Sequence, residues 1–211
     1  MAHEHHRYRS WEHCYKYFQG NTLEAIAAER DHAALHLGFY LASWGMYRGS
    51  SFLLQHAHTV HLGVIDLFVA PEFGALRKRE LGAHDDDSKL VPLVILAAAA
   101  IREAYRPFAP KSESRQASDT LVTKVVLGTF GCLPACDRYF IEGWRNAELS
   151  YSYLNSRFIE RVLGFCRDHR AEFQHEQARI ERDSGIRYPL MKLVDMYFWE
   201  IGYELEGGAT T

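Results

Sequence analysis

Residues 22–47 read TLEAIAAERDHAALHLGFYLASWGMY, and the spacing of the apolar positions in this stretch decides the fold class. Leu23, Ile26, Ala27, Ala33, Ala34, Leu37, Tyr40, Leu41 and Trp44 recur at intervals that keep to one face of a helix. A strand would require strict alternation instead. Asn21 followed by Glu24 has the form of a capping box, in which a short acceptor and an acid satisfy the free N–H groups of a first turn. The pattern predicts a helix over 22–47, ended by Gly49.

The same period governs the chain on both sides. Trp11, Tyr15 and Phe18 predict a short aromatic helix over 10–18, broken at Gly20. Ser50 and Ser51 are placed to cap an apolar stripe that runs from Leu53 through Val60, Val64 and Phe68 to Pro71, with Gly63 as its bend. Residues 73–88 read as a charged connection. Its acidic run, Asp85 to Asp87, suits a solvated first turn, because carboxylates favour the positive end of a helix dipole. The helix that follows tolerates Pro92 near its start and stops at Tyr105, before Pro107. Residues 107–118 form a loop. Ser118 then caps an apolar helix through Leu127 that must be buried, since it has no polar face. Gly128 and Gly131 interrupt, and Pro134 opens a helix through Ile141. Residues 155–183 form one long or two shorter helices, and Pro189 starts a final helix to Leu205. The expected fold is all-α, a single globular domain of eight or nine helices over 1–206 with a disordered tail over 207–211.

The bulk properties agree with that class. A chain of 211 residues with 47% hydrophobic and 24% charged side chains can bury a core of its own. A formal net charge of −3 carries no excess of cations of the kind a nucleic-acid binder shows. Cys14, Cys132, Cys136 and Cys166 are too scattered for a disulfide scaffold and read as reduced, buried residues. The first residues have no apolar signal-peptide core. The longest apolar run, Leu90 to Ile101, is too short to span a bilayer. These features predict a soluble, cytoplasmic protein with no membrane partner.

A few charges stand where apolar helices should not hold them. Lys124 sits in Leu-Val-Thr-Lys-Val-Val-Leu, Asp137 and Arg138 sit between Cys136 and Tyr139, and Lys192 and Asp195 sit in Leu-Met-Lys-Leu-Val-Asp-Met-Tyr-Phe-Trp. An unpaired buried charge is costly, so such groups are paired, bound to a ligand or exposed in a cleft. Positions 192, 195, 196, 199 and 203 share one helix face, which places Lys192, Asp195, Met196, Trp199 and Tyr203 together. Leu190, Val194, Tyr197 and Ile201 form the opposite, core face. Charge beside aromatics suits a pocket that stacks a planar ligand and bonds its edge. Internal pairing, of Lys124 with Asp137 or Asp195, is the structural alternative. The turn from Ser43 to Ser51 adds Trp44, Arg48, Ser50 and Ser51 as candidate ligand-binding residues, because an arginine and free N–H groups at a helix start suit a phosphate or carboxylate.

Thr123-Lys124, Gly128 and the run Pro134-Ala-Cys-Asp-Arg-Tyr-Phe140 resemble segments of uncharacterised bacterial all-helical proteins. Over residues 118–140 the chain is also similar to the helix-hairpin-helix DNA glycosylase superfamily, whose catalytic aspartate opens a helix after a short proline-containing approach. That resemblance implies Asp137 as the catalytic electrostatic or general-base group, Lys124 as its partner and a nucleobase as ligand.

Twelve histidines invite a metal reading. Glu29-x-x-His32 and Glu172-x-x-His175 have the spacing of helical di-metal sites, with Glu12, Glu103 or Glu142 as further ligands. Cys132, Cys136, Cys166 and His169 have zinc-ligand chemistry. His56, His58 and His61 read more simply as a solvated face, and His3, His5 and His6 as a terminal cluster. No metal ligand and no cofactor is assigned. Three functions follow. The first is a pocket for a nucleobase, nucleotide or similar planar anion, with a small molecule or a nucleic acid as partner. The second is a non-enzymatic interaction or homo-oligomerisation module using Trp11, Tyr15, Tyr17, Trp199 and Tyr203. The third is a helical metalloprotein.

Overall fold

The computed structural model describes residues 8–109 and 117–207. His3, His5 and His6, most of the loop expected over 107–118, and all but the first residue of the tail expected over 207–211 lie outside the described residues.

Helix α1 spans Tyr8–Gly20, and the predicted 22–47 helix is two helices, α2 (Leu23–Ala28) and α3 (Arg30–Ser43). The break falls at Glu29, whose backbone (φ −110, ψ 39) leaves the helical region between the apolar end of α2, Ile26 to Ala28, and the polar start of α3, Arg30 to His32. Thr22 rather than Asn21 is the N-cap, accepting from the Ala25 N–H, while Asn21 donates back to the Tyr17 carbonyl. Two 3₁₀ turns, Phe52–Gln55 and His58–His61, then lead into α4 (Leu62–Val69). Gly63 stands in the first turn of α4. It lets α4 approach the helix through Ala104, whose Cβ lies 3.2 Å from where a Gly63 Cβ would stand.

The predicted charged connection contains a short helix, α5 (Gly74–Lys78), and ends in a 3₁₀ turn, Asp87–Leu90, that leads into α6 (Val91–Tyr105). Asp87 is buried, not solvated. Its carboxylate accepts from the backbone N–H groups of Gly82 and His84 and from Arg79, and so ties the whole 79–87 loop to one anion. Helix α7 (Asp119–Thr129) is capped by Ser118 and buried along most of its length, as its sequence requires. Gly128 does not interrupt it: the position is filled by the Tyr40 ring, which leaves no room for a side chain. Pro134 opens no helix. Residues 131–137 cross the core without regular structure, and α8 (Arg138–Asn146) begins one residue after the N-cap Asp137.

Helices α9 (Ser156–Asp168) and α10 (Arg170–Ser184) divide at His169, and α11 spans Leu190–Leu205. The described residues thus hold eleven α-helices and no strand, more than the eight or nine expected because the long apolar spans are broken. No single helix among them is long and apolar enough to cross a membrane.

The buried side chains form one contiguous cluster. Helix α1 packs on α3 and α7, α6 packs on α4, α7 and α9, and α8 lies along α11. This last pairing has a specific cause. Gly143 on α8 faces the Phe198 carbonyl on α11, and Gly202 on α11 faces the Tyr139 carbonyl on α8, so the backbones touch where any Cβ would overlap. On α11 the face that carries charge beside aromatics is mostly inside. Lys192, Asp195 and Trp199 are all buried, whereas Tyr197, expected in the core, is exposed and Ile201 is half-buried.

Candidate functional site

Four elements of the chain meet in one cleft of about 490 Å³. The end of α3 and the turn after it supply Ser43, Trp44, Gly45, Met46 and Arg48, α7 supplies Thr120 and Lys124, the start of α8 supplies Asp137, Arg138 and Tyr139, and α11 supplies Trp199. Each has a local reason for its position. Asp137 caps α8 by accepting from the Phe140 N–H at 3.2 Å, which fixes its carboxylate at the helix mouth. The chain is led there by Thr120, whose hydroxyl donates to the Cys136 carbonyl, and by Thr123, which accepts from the Cys136 N–H. Gly45 adopts φ +76, and the Arg48 guanidinium folds back against it, 2.9 Å from where a Cβ would stand.

The floor of the cleft is an ion pair. Lys124 Nζ lies 3.2 Å from Asp137 Oδ2, with the lysine side chain 5% and the aspartate 15% exposed. Lys124 also donates to the Trp44 carbonyl at 3.1 Å and lies 5.5 Å from the centre of that indole. Burial lowers the Lys124 pKa, and Asp137 opposes the shift. Beneath this pair lies a second one. Lys192 Nζ is 2.7 Å from Asp195 Oδ2, and Asp195 Oδ1 accepts from the Ala135 N–H. Lys192 faces the Trp11 ring at 5.1 Å and the Trp44 ring at 5.4 Å, so Trp44 lies within cation–π reach of both lysines. Burial raises the Asp195 pKa, and Lys192 pulls it back.

The walls are aromatic. Trp199 meets Trp44 edge-on at 6.3 Å and Tyr139 at 5.2 Å, and stacks on Tyr203 at 5.0 Å. At the rim, Arg138 lies over the Tyr139 ring and pairs with Glu206. Among the described residues Arg48 makes no ion pair.

Of the residues singled out from the sequence, Trp44, Arg48, Lys124, Asp137, Arg138 and Trp199 line the cleft, and Lys192 and Asp195 form the layer below it. Ser50 and Ser51 do not line it. Ser51 is spent on capping the Phe52–Gln55 turn, where it accepts from the Leu53 N–H. Tyr139, Thr120, Gly45 and Met46 also line the cleft, and nothing in the sequence marks them individually as ligand-binding. Tyr139 follows two flagged residues, but only the packing of α8 on α11 brings it against Trp199.

The metal constellations do not assemble. Among the described residues no group of three or more His, Cys, Asp or Glu side chains is placed to hold an ion. His56 bonds to the Phe108 carbonyl and His58 to Asp31, while His61, expected on a solvated face, is fully buried. All four cysteines are buried and free. The aromatics proposed as an interface are largely internal: Trp11 and Trp199 are buried, and Tyr15, Tyr17 and Tyr203 are half-buried. Comparison with protein-family models, curated proteins and solved structures finds no match for this chain.

Proposed function

We propose that the protein binds a small planar anion, of the size of a nucleoside monophosphate, in the cleft between α3, α7, α8 and α11. The observation that carries this reading is the meeting of Trp44, Tyr139 and Trp199 with Arg48, Arg138 and Lys124 around one opening. Aromatic faces take a planar ring, and the two rim arginines offer forked donors to a phosphate or carboxylate. The floor charges are balanced by each other, and Arg138 by Glu206. Arg48 is left as the cation that the phosphate or carboxylate of a ligand would pair with. Asp137 uses one direction on each oxygen, and a carboxylate has further lone pairs to accept an N–H from the edge of a bound base.

The test is a titration of adenosine, guanosine, cytidine and uridine monophosphates followed by tryptophan fluorescence and calorimetry. Arg48→Ala is expected to weaken the best ligand by roughly tenfold to a hundredfold, the value of a charge-assisted hydrogen bond. No binding by any nucleotide or by planar aromatic carboxylates would sink the reading.

The glycosylase-like reading is a narrower form of the same proposal, with an extruded base in the cleft and Asp137 as the electrostatic or general-base group. Its supporting observation is the position of Asp137 at the mouth of α8 on the cleft floor. Gly128 and Gly131 mark the end of α7 here rather than a hairpin between two helices. Incubation with duplexes carrying uracil or alkylated bases checks it, and release of no base rules it out.

A further inference from the structure

His61 is fully buried, and each of its ring nitrogens meets a tyrosine hydroxyl: Nε2 meets Tyr47 at 2.7 Å and Nδ1 meets Tyr105 at 2.7 Å. A neutral imidazole has one N–H and one lone pair, so one hydroxyl accepts and the other donates, and the chain is satisfied without a charge. Burial holds the imidazole neutral, with its pKa pushed down to about 3. Gly38 on α3 leaves the room the ring needs, since a Cβ there would stand 3.4 Å from the His61 Cδ2. The inner end is rigid, because Tyr105 is wholly inside and packs against Phe52. Among the described residues the Tyr105 hydroxyl bonds to nothing beyond His61, so no proton route continues from it.

The outer end bears on the cleft. Trp44, Gly45, Met46 and Arg48 line the opening, and Tyr47 is the one residue of that segment that turns away from it. The Gly45 and Met46 N–H groups bond back to α3, and the Ser51 N–H bonds to the Arg48 carbonyl. Among the described residues, no backbone hydrogen bond is made by the Tyr47 or Arg48 N–H. The Tyr47 hydroxyl is therefore the hydrogen-bonded tie between residues 47–48 and the core.

We infer that His61 and Tyr47 are positioning residues for the candidate cleft: a neutral Tyr47–His61–Tyr105 strut sets where the Trp44 carbonyl meets Lys124 and where Arg48 stands. The inference rests on the reading of the cleft as a ligand site. The experiment compares Tyr47→Phe with Tyr105→Phe by amide hydrogen exchange at Gly45, Met46 and Ser51, and by affinity for adenosine 5′-monophosphate. Both variants lose one bond to the same imidazole, but only Tyr47→Phe cuts the tie to the segment. Tyr47→Phe is expected to speed exchange at those amides, and to weaken the nucleotide, by on the order of tenfold, the worth of one buried hydrogen bond. Tyr105→Phe is expected to lower global stability without that local change. Equal exchange at the three amides in the two variants, or none in either, overturns the strut. If the unaltered protein binds no nucleotide, the ligand reading fails on its own while the exchange comparison still decides the strut.

Discussion

Lys192 and Asp195 stand one helical turn apart on α11 with side chains 3% and 8% exposed, so neither can lose the other without leaving a charge out of water. Lys192→Met is expected to cost about 3 kcal/mol or more in urea unfolding, the usual result of breaking a buried pair from one side. The double variant Lys192→Met/Asp195→Asn keeps an acceptor for the Ala135 N–H and should recover most of that loss; failure to recover would show that the cation–π contacts to Trp11 and Trp44 matter more than the charge pair. His61 makes a separate prediction in pH. Folding lowers its pKa from 6.5 to about 3, so the unfolded chain takes up the proton first. Its contribution is complete above pH 6.5 and drains as the pH falls toward 3. The slope reaches at most about 1.4 kcal/mol per pH unit. Unfolding measured between pH 7 and pH 4 should show this slope, and His61→Gln should flatten it.

The pairing of α8 with α11 depends on two glycines that allow backbone contact. Gly143→Ala or Gly202→Ala places a methyl on a carbonyl of the partner helix, and no flexible side chain is there to yield. We expect either to cost more than about 3 kcal/mol, beyond ordinary overpacking. The same substitution at Gly164 on α9 meets only the end of Arg167 and should stabilise by up to about 1 kcal/mol through helix propensity. Thermal melts of the three variants side by side decide it, and an unaffected Gly143→Ala would mean that the helices are not in contact. Helix starts were largely legible: Ser118 and Ser51 cap where their chemistry places them, and Pro189 stands at the N-cap of α11, one residue before the first helical position expected for it. Breaks were less so. Glu29 ends α2 inside a run with unbroken helical period, and Asp87 turns inward although its neighbours are solvated, because three donors in the 79–87 loop converge on it.

The whole molecule keeps its four thiols inside. Burial pushes Cys132 and Cys166 up to about 12, and Cys14 and Cys136 higher still. Thiolate is the reactive form, so a disulfide reagent should find almost no fast-reacting thiol in the native protein. All four should react at the rate of opening, which makes thiol labelling a measure of global stability. A rapid reaction of any one would place that cysteine on a locally open element.

What the sequence determined by itself is the fold class and the charges that had to be accounted for. Both follow from local rules: helical period is a property of neighbouring residues, and a charge in an apolar run is costly wherever that run is buried. Only the tertiary structure decided how those charges pair, that Trp44 lies between two lysines, and that Arg48, Asp137 and Trp199 share one opening. Residues 48, 137 and 199 are joined by the packing of α3 against α7, where the Tyr40 ring fills the space at Gly128, and of α8 along α11, set by backbone approach at Gly143 and Gly202. A glycine in a sequence shows that a side chain is missing, but not which helix comes to lie against the space it leaves.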